Sequence, residues 1–127
     1  LGANDVTHLT PIGSQRRNVE TIIAGLRATN PNVAIVVTGS PDMGSPPRIP
    51  RLLRGLAGRR TRSVNEMYRA LVREKGLTFA PIADETGSAF RADPTLFASD
   101  RFHPNERGYA LWTTVLNRAL AEAIGKQ

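Results

Sequence analysis

The apolar positions of this chain recur at two different periods, and the alternation between them predicts the fold class. Across residues 14–29, Val19, Ile22, Ile23 and Leu26 fall at helical spacing, and Asn30-Pro31 stops the helix, so one apolar face is expected to be buried. Next comes the unbroken run Val33-Ala34-Ile35-Val36-Val37, bounded by Pro31 and Gly39. A strand that is apolar at every position needs cover on both faces, as a central parallel strand has. Leu52, Leu53 and Leu56 predict a short helix that ends near Gly55 to Gly58. Ser63-Val64-Asn65-Glu66 reads as a capping box that opens a second amphipathic helix through Met67, Tyr68, Leu71 and Val72, closed by Gly76. Residues 77–82 predict a shorter strand, and residues 83–101, with Pro94 and little periodicity, an irregular stretch. Tyr109, Trp112, Leu116, Ala119, Leu120 and Ala123 mark a last helix capped by Asn105. Helix, strand, helix, strand, helix is α/β alternation.

The segment Gly39-Ser40-Pro41-Asp42-Met43-Gly44-Ser45-Pro46-Pro47 is rich in turn formers and follows the C-terminal end of the first strand. Open α/β sheets place ligands there, so this loop is expected to wall a pocket. The 127 residues suffice for one domain with a modest core, spanning 1–127. No apolar run approaches the ~18 residues of a membrane-spanning helix. The chain opens on Leu1-Gly2-Ala3-Asn4-Asp5 without an initiator Met or a signal-like segment, which reads as a start inside a longer sequence. Cysteine is absent, which excludes disulfides, thiolate catalysis and Cys-type zinc sites but fits reducing and oxidising compartments alike, leaving localisation open.

The formal charge of +6 comes almost wholly from arginine. It is densest at Arg48, Arg51, Arg54, Arg59, Arg60 and Arg62, read here as a solvated helix face. No stacking aromatics interleave these arginines, so a nucleic-acid partner is not expected. The rival reading is a non-catalytic module that holds an anionic partner on this surface.

Two short constellations carry chemistry: Gly2-Ala3-Asn4-Asp5 at the start and Asp100-Arg101-Phe102-His103-Pro104 near the end. Acyl transfer needs a base for the nucleophile's proton, a carboxylate to fix that base's tautomer, and donors aimed at the developing oxyanion. His103, Asp100 and Asn4 are the residue types for those jobs. Pro104 pushes His103 out of the helix that follows, into a turn where a carboxylate three residues back reaches Nδ1 and leaves Nε2 to the cleft. Asn4, placed just past a strand that would end near Leu1, can offer side-chain N–H groups at the same sheet edge. Gly2, Asp5, His8 and Ser40 are assigned to the substrate-binding surface. Ser40 as nucleophile is disfavoured, because Pro41 has no N–H to serve the oxyanion. A metal held by Asp5, His8, Asp100 and His103 is set aside for want of a His-x-x-x-His pair or a third histidine, and no cofactor is implied.

These motifs resemble the third block, Gly-x-Asn-Asp, and the fifth block, Asp-x-x-His-Pro, of the SGNH or GDSL hydrolases, and Asn105 to Tyr109 is similar to the run that follows the family's histidine. The resemblance covers the whole chain. It implies a three-layer α/β/α sandwich with a mainly parallel, flavodoxin-like sheet of strand order 2-1-3-4-5, of which this chain supplies the tail of strand 3 and strands 4 and 5, the N-terminal strands being missing. It implies carboxylic ester hydrolysis, with Asn4 as oxyanion donor, His103 as base and Asp100 as its carboxylate. The family's first block, with the nucleophilic Gly-Asp-Ser, would lie on an upstream segment, and the fragment alone is expected to be inactive.

Overall fold

Two short strands, β1 (Val36–Thr38) and β2 (Thr78–Ala80), pair in parallel with Val37 opposite Phe79, and helices pack on both faces. The computed structural model describes residues 2–126. In chain order the helices are α1 (Ala3–Thr7), α2 (Ile12–Thr29), α3 (Arg51–Lys75), α4 (Ile82–Ala92) and α5 (Glu106–Gly125), with a 3₁₀ turn at Pro94–Leu96. Strand alternation divides the core in two. Val37 joins Val19 and Ile23 of α2 and Val64, Tyr68 and Leu71 of α3. Val36 and Ala80 face the other way, against Val115 and Ala119 of α5. The result is the expected α/β/α layering, built here on two strands; the expected strand tail at Leu1 lies outside the described residues.

Several expected boundaries move. The two helices separated near Gly55 to Gly58 are one continuous helix, α3. A glycine ends a helix by taking a left-handed conformation, and of these glycines Gly76 does so, at φ 63°. Ser63 is therefore no cap: its hydroxyl donates back to the Arg59 carbonyl at 3.4 Å, one turn earlier in the same helix. The stretch from Ala83 to Arg101, expected to be irregular, contains most of α4, whose Ile82, Thr86 and Phe90 are buried at intervals of four. Asp84 and Glu85 sit in its first turn, where the helix dipole favours negative charge.

Both strands are shorter than expected, because only Val36 to Thr38 find ladder partners in Thr78 to Ala80. Four residues expected on buried faces stand open: Ile22, Leu26, Tyr109 and Leu120 are 45–55% exposed. Leu52 is 96% exposed, so the first turns of α3 contribute nothing to the core through it. The start of the last helix is as expected: Asn105 caps α5 by accepting the Gly108 N–H at 3.1 Å.

Candidate active site

The turn between the 3₁₀ segment and α5 is assembled around Asp100 and His103. Arg101 takes a left-handed φ of 59°, which bends the chain sharply enough for Asp100 Oδ1 to accept the N–H groups of both Phe102 and His103 at 3.0 Å. The other carboxylate oxygen, Oδ2, meets His103 Nδ1 at 2.5 Å. The loop closes on itself through Ala98 N–H to the His103 carbonyl, at 2.8 Å, and an antiparallel bridge between Phe97 and Pro104. Three donors converge on one carboxylate, and the Asp100 carboxyl is pushed down to about 2, chiefly by the His103 ring and then by the two backbone N–H groups. A carboxylate on Nδ1 fixes the ring so that Nε2 is the basic nitrogen.

His103 and Asn4 line one small cavity of about 80 Å³, although 99 residues separate them in sequence. Its walls are mainly apolar. Pro41, Met43 and Pro46 come from the loop after β1, Phe90 from α4, and Phe97, Phe102 and Trp112 from the segments around His103. The expectation that the loop after the first strand walls a pocket therefore holds. Phe90 meets Phe97 edge-on at 5.1 Å, beside Trp112 at 6.0 Å, so the aromatic lining is one packed cluster. The Trp112 indole nitrogen is buried and has no hydrogen-bond partner among the described residues.

Asn4 stands at the second position of α1, an exposed residue whose backbone carbonyl accepts the N–H of His8 at 2.8 Å. Its side-chain amide has no protein hydrogen-bond partner among the described residues. The chain enters α1 through Gly2 at φ 84°. A Cβ on Gly2 would stand 3.1 Å from the Ser40 side chain and 3.2 Å from Tyr68, so glycine is needed both for the left-handed turn and for the close approach.

Residues 1–111 match the family model of the GDSL-like Lipase/Acylhydrolase family. The chain belongs to this family. Among curated relatives, this GDSL-like chain is 36% identical to the GDSL-like esterase Rv1075c of Mycobacterium tuberculosis over 126 residues, which is 98% of the chain and 39% of that protein. Among solved structures it superposes on the esterase domain of the ZfL2-1 ORF1 protein from the zebrafish ZfL2-1 retrotransposon, with a TM-score of 0.67 and 24% identity, over 91% of this chain and 66% of that one. That likeness shows the fold.

Of the residues assigned from sequence, the GDSL-like fold brings Asn4 and His103 to the cavity, with Asp100 behind the histidine. Gly2, Asp5, His8 and Ser40 do not line it. Ser40 is fully buried, its N–H donating to Asn65 Oδ1 at 2.7 Å and its hydroxyl to the Pro41 carbonyl at 3.1 Å. Gly2 is packed beneath α1, and His8 is exposed, its Nδ1 2.8 Å from the Asn4 carbonyl. Asp5 acts electrostatically on Tyr68, whose hydroxyl is pushed up to about 12, first by burial and then by that carboxylate. The cavity residues of α4, Thr86, Gly87 and Phe90, were missed from sequence. The i, i+4, i+8 series Ile82, Thr86, Phe90 was the signal available for them. No group of three or more His, Asp or Glu side chains placed to hold a metal occurs among the described residues.

Proposed function

We propose that this chain supplies the acid-base half of a serine esterase that hydrolyses carboxylic esters, the nucleophilic serine being carried on an upstream segment. What supports the reading most is a histidine held at Nδ1 by Asp100 on the rim of an apolar cavity that Asn4 also lines, its amide unpartnered among the described residues. In the first half-reaction the serine hydroxyl gives its proton to His103 Nε2 as its oxygen adds to the ester carbonyl. Asn4 donates to the oxyanion that forms, and Asp100 stabilises the imidazolium. Collapse of the tetrahedral species expels the alcohol, which takes the proton from His103. Water then repeats the sequence on the acyl-serine, releasing the acid.

The apolar and aromatic walls offer a surface for the acyl or alcohol portion of the ester beside the exposed His103 ring. The test is intact-mass spectrometry of the full-length protein after exposure to a fluorophosphonate, which labels activated serines. The expected result is one adduct on an upstream Gly-Asp-Ser serine, formed far more slowly when His103 is alanine. An unlabelled protein that also fails to cleave a simple aryl ester would overturn the proposal and favour the anion-binding module.

A further inference from the structure

Beside the apolar cavity runs a wider groove of about 640 Å³, walled by Arg54, Arg59 and Arg62 of α3 and Arg91 of α4. Asp42 and Ser45 line both spaces. A molecule lying across these two residues would have one end at His103 and the other among four guanidinium groups.

The charges in this groove are unbalanced. Asp42 is its single acidic wall residue, and its two oxygens are already engaged, one by Arg91 and the other by the Gly44 N–H at 3.0 Å. Arg54 is committed to the carbonyls of Ile49 and Pro47, at 3.0 and 3.1 Å. Arg59 and Arg62 are exposed and have neither an ion pair nor a side-chain hydrogen bond among the described residues. By contrast, Arg16, Arg107 and Arg118 on other surfaces each meet a carboxylate, as does Arg69 with Asp84 in the adjoining groove that shares Arg62 and Arg91. Like charges gathered in a concavity raise the local anion concentration, and guanidinium groups match oxyanions in shape.

The groove also contains a glycine that packing does not explain. Gly55 lies inside α3, where glycine costs about 1 kcal/mol relative to alanine, yet a Cβ there would meet nothing within 4 Å. Because Gly55 lines the groove, the missing side chain widens it at that point. The groove is concave and no aromatic residue lines it, which favours a compact oxyanion over a nucleic-acid strand that must stack.

We propose that this groove binds a phosphate-type oxyanion carried by the same molecule whose carboxylic ester reaches His103. The identity of the ligand's other end rests on the esterase reading, whereas anion binding is measurable without turnover. Isothermal titration of the full-length protein with inorganic pyrophosphate is the primary test. The expected result is saturable 1:1 binding, weakened tenfold or more in the Arg59→Gln/Arg62→Gln double variant. Because neither side chain has a partner among the described residues, the variant should melt no lower than the parent, which checks its fold. A paired measurement compares KM for 4-acetoxyphenyl phosphate and phenyl acetate. The charged ester should have the lower KM by about tenfold, an advantage that the double variant loses.

Absent or variant-independent pyrophosphate binding overturns the proposal. So does binding to anionic phosphatidylglycerol vesicles or to an oligonucleotide without binding to pyrophosphate, since either would make the arginines a macromolecular surface. If pyrophosphate binds but neither ester is cleaved, the groove stands as an anion site and the esterase reading falls. If both esters are cleaved with equal KM and pyrophosphate does not bind, the reverse holds.

Discussion

Asp100 grips His103 twice, through Oδ2 to the ring nitrogen Nδ1 at 2.5 Å and through Oδ1 to the histidine's own backbone N–H at 3.0 Å. One carboxylate therefore sets both the backbone turn that presents the imidazole and the tautomer that the imidazole adopts. Asp100→Asn can keep the shape of the turn, but its amide reverses the preferred tautomer. In the full-length protein it should lower kcat on an aryl ester by up to about 10⁴, as in a serine-protease triad. Retention of more than a tenth of the parent kcat would remove Asp100 from the role assigned to it.

The same pair predicts a titration. Asp100 is held at about 2 against an ordinary 3.8, with the His103 ring as the first cause. Because the folded-state value is depressed, the stabilisation it represents is complete above the unfolded value near 3.8 and is lost as pH falls through about 2. NMR of the Asp100 carboxyl carbon should give a midpoint near 2 in the parent. His103→Ala should move that midpoint upward, though not fully to 3.8, because the backbone N–H groups remain. A parent midpoint at or above 3.8 contradicts the pairing.

Asn4 is predicted to matter to turnover and little to folding. Its amide is exposed and unpartnered among the described residues, so Asn4→Ala should change stability by less than about 0.5 kcal/mol. By analogy with other oxyanion-hole donors, kcat should fall on the order of 10²–10³ with KM little changed. Thermal melts alongside steady-state kinetics separate the two effects, and normal turnover would remove Asn4 from the oxyanion site.

Gly108 tests how the His103 turn is seated on α5. A Cβ there would lie 2.5 Å from the Leu96 carbonyl oxygen and 2.9 Å from the Pro104 side chain, so the helix start and the loop must separate to admit it. Gly108→Ala should therefore destabilise the protein by about 1–3 kcal/mol despite alanine's better helix propensity. Chemical denaturation measures this directly, and a more stable variant would show that the contact is slack.

Trp112 is the one tryptophan in the chain and lines the apolar cavity, so its fluorescence reports occupancy. An unreactive substrate mimic such as benzyl methyl ketone should change Trp112 emission saturably. Trp112→Phe should bind it more weakly, and no change in parent emission up to the ketone's solubility limit would place binding elsewhere.

Much of this protein is legible in short-range pattern. Asp100 and His103 are three residues apart, so proline and turn geometry within a few bonds suffice to bring their side chains together. Asn105 as the α5 cap and Gly76 as the α3 terminus are likewise local events. The α/β/α layering followed from the apolar run through Val36 and Val37, because a strand apolar on both sides needs two helical covers. What tertiary structure alone decided is which distant residues share a space. Gly58, inside the continuous α3, approaches the loop at Gly44 and Asp42, a contact that no local propensity encodes. Ser40 and Gly2 carry motif-like neighbourhoods in sequence, yet packing against each other and Tyr68 turned them inward. The meeting of Asn4 with His103, and of Arg91 with Arg59 and Arg62, required the sheet to bring separate helices to one edge. Those encounters depend on packing between elements, which short-range patterning cannot specify.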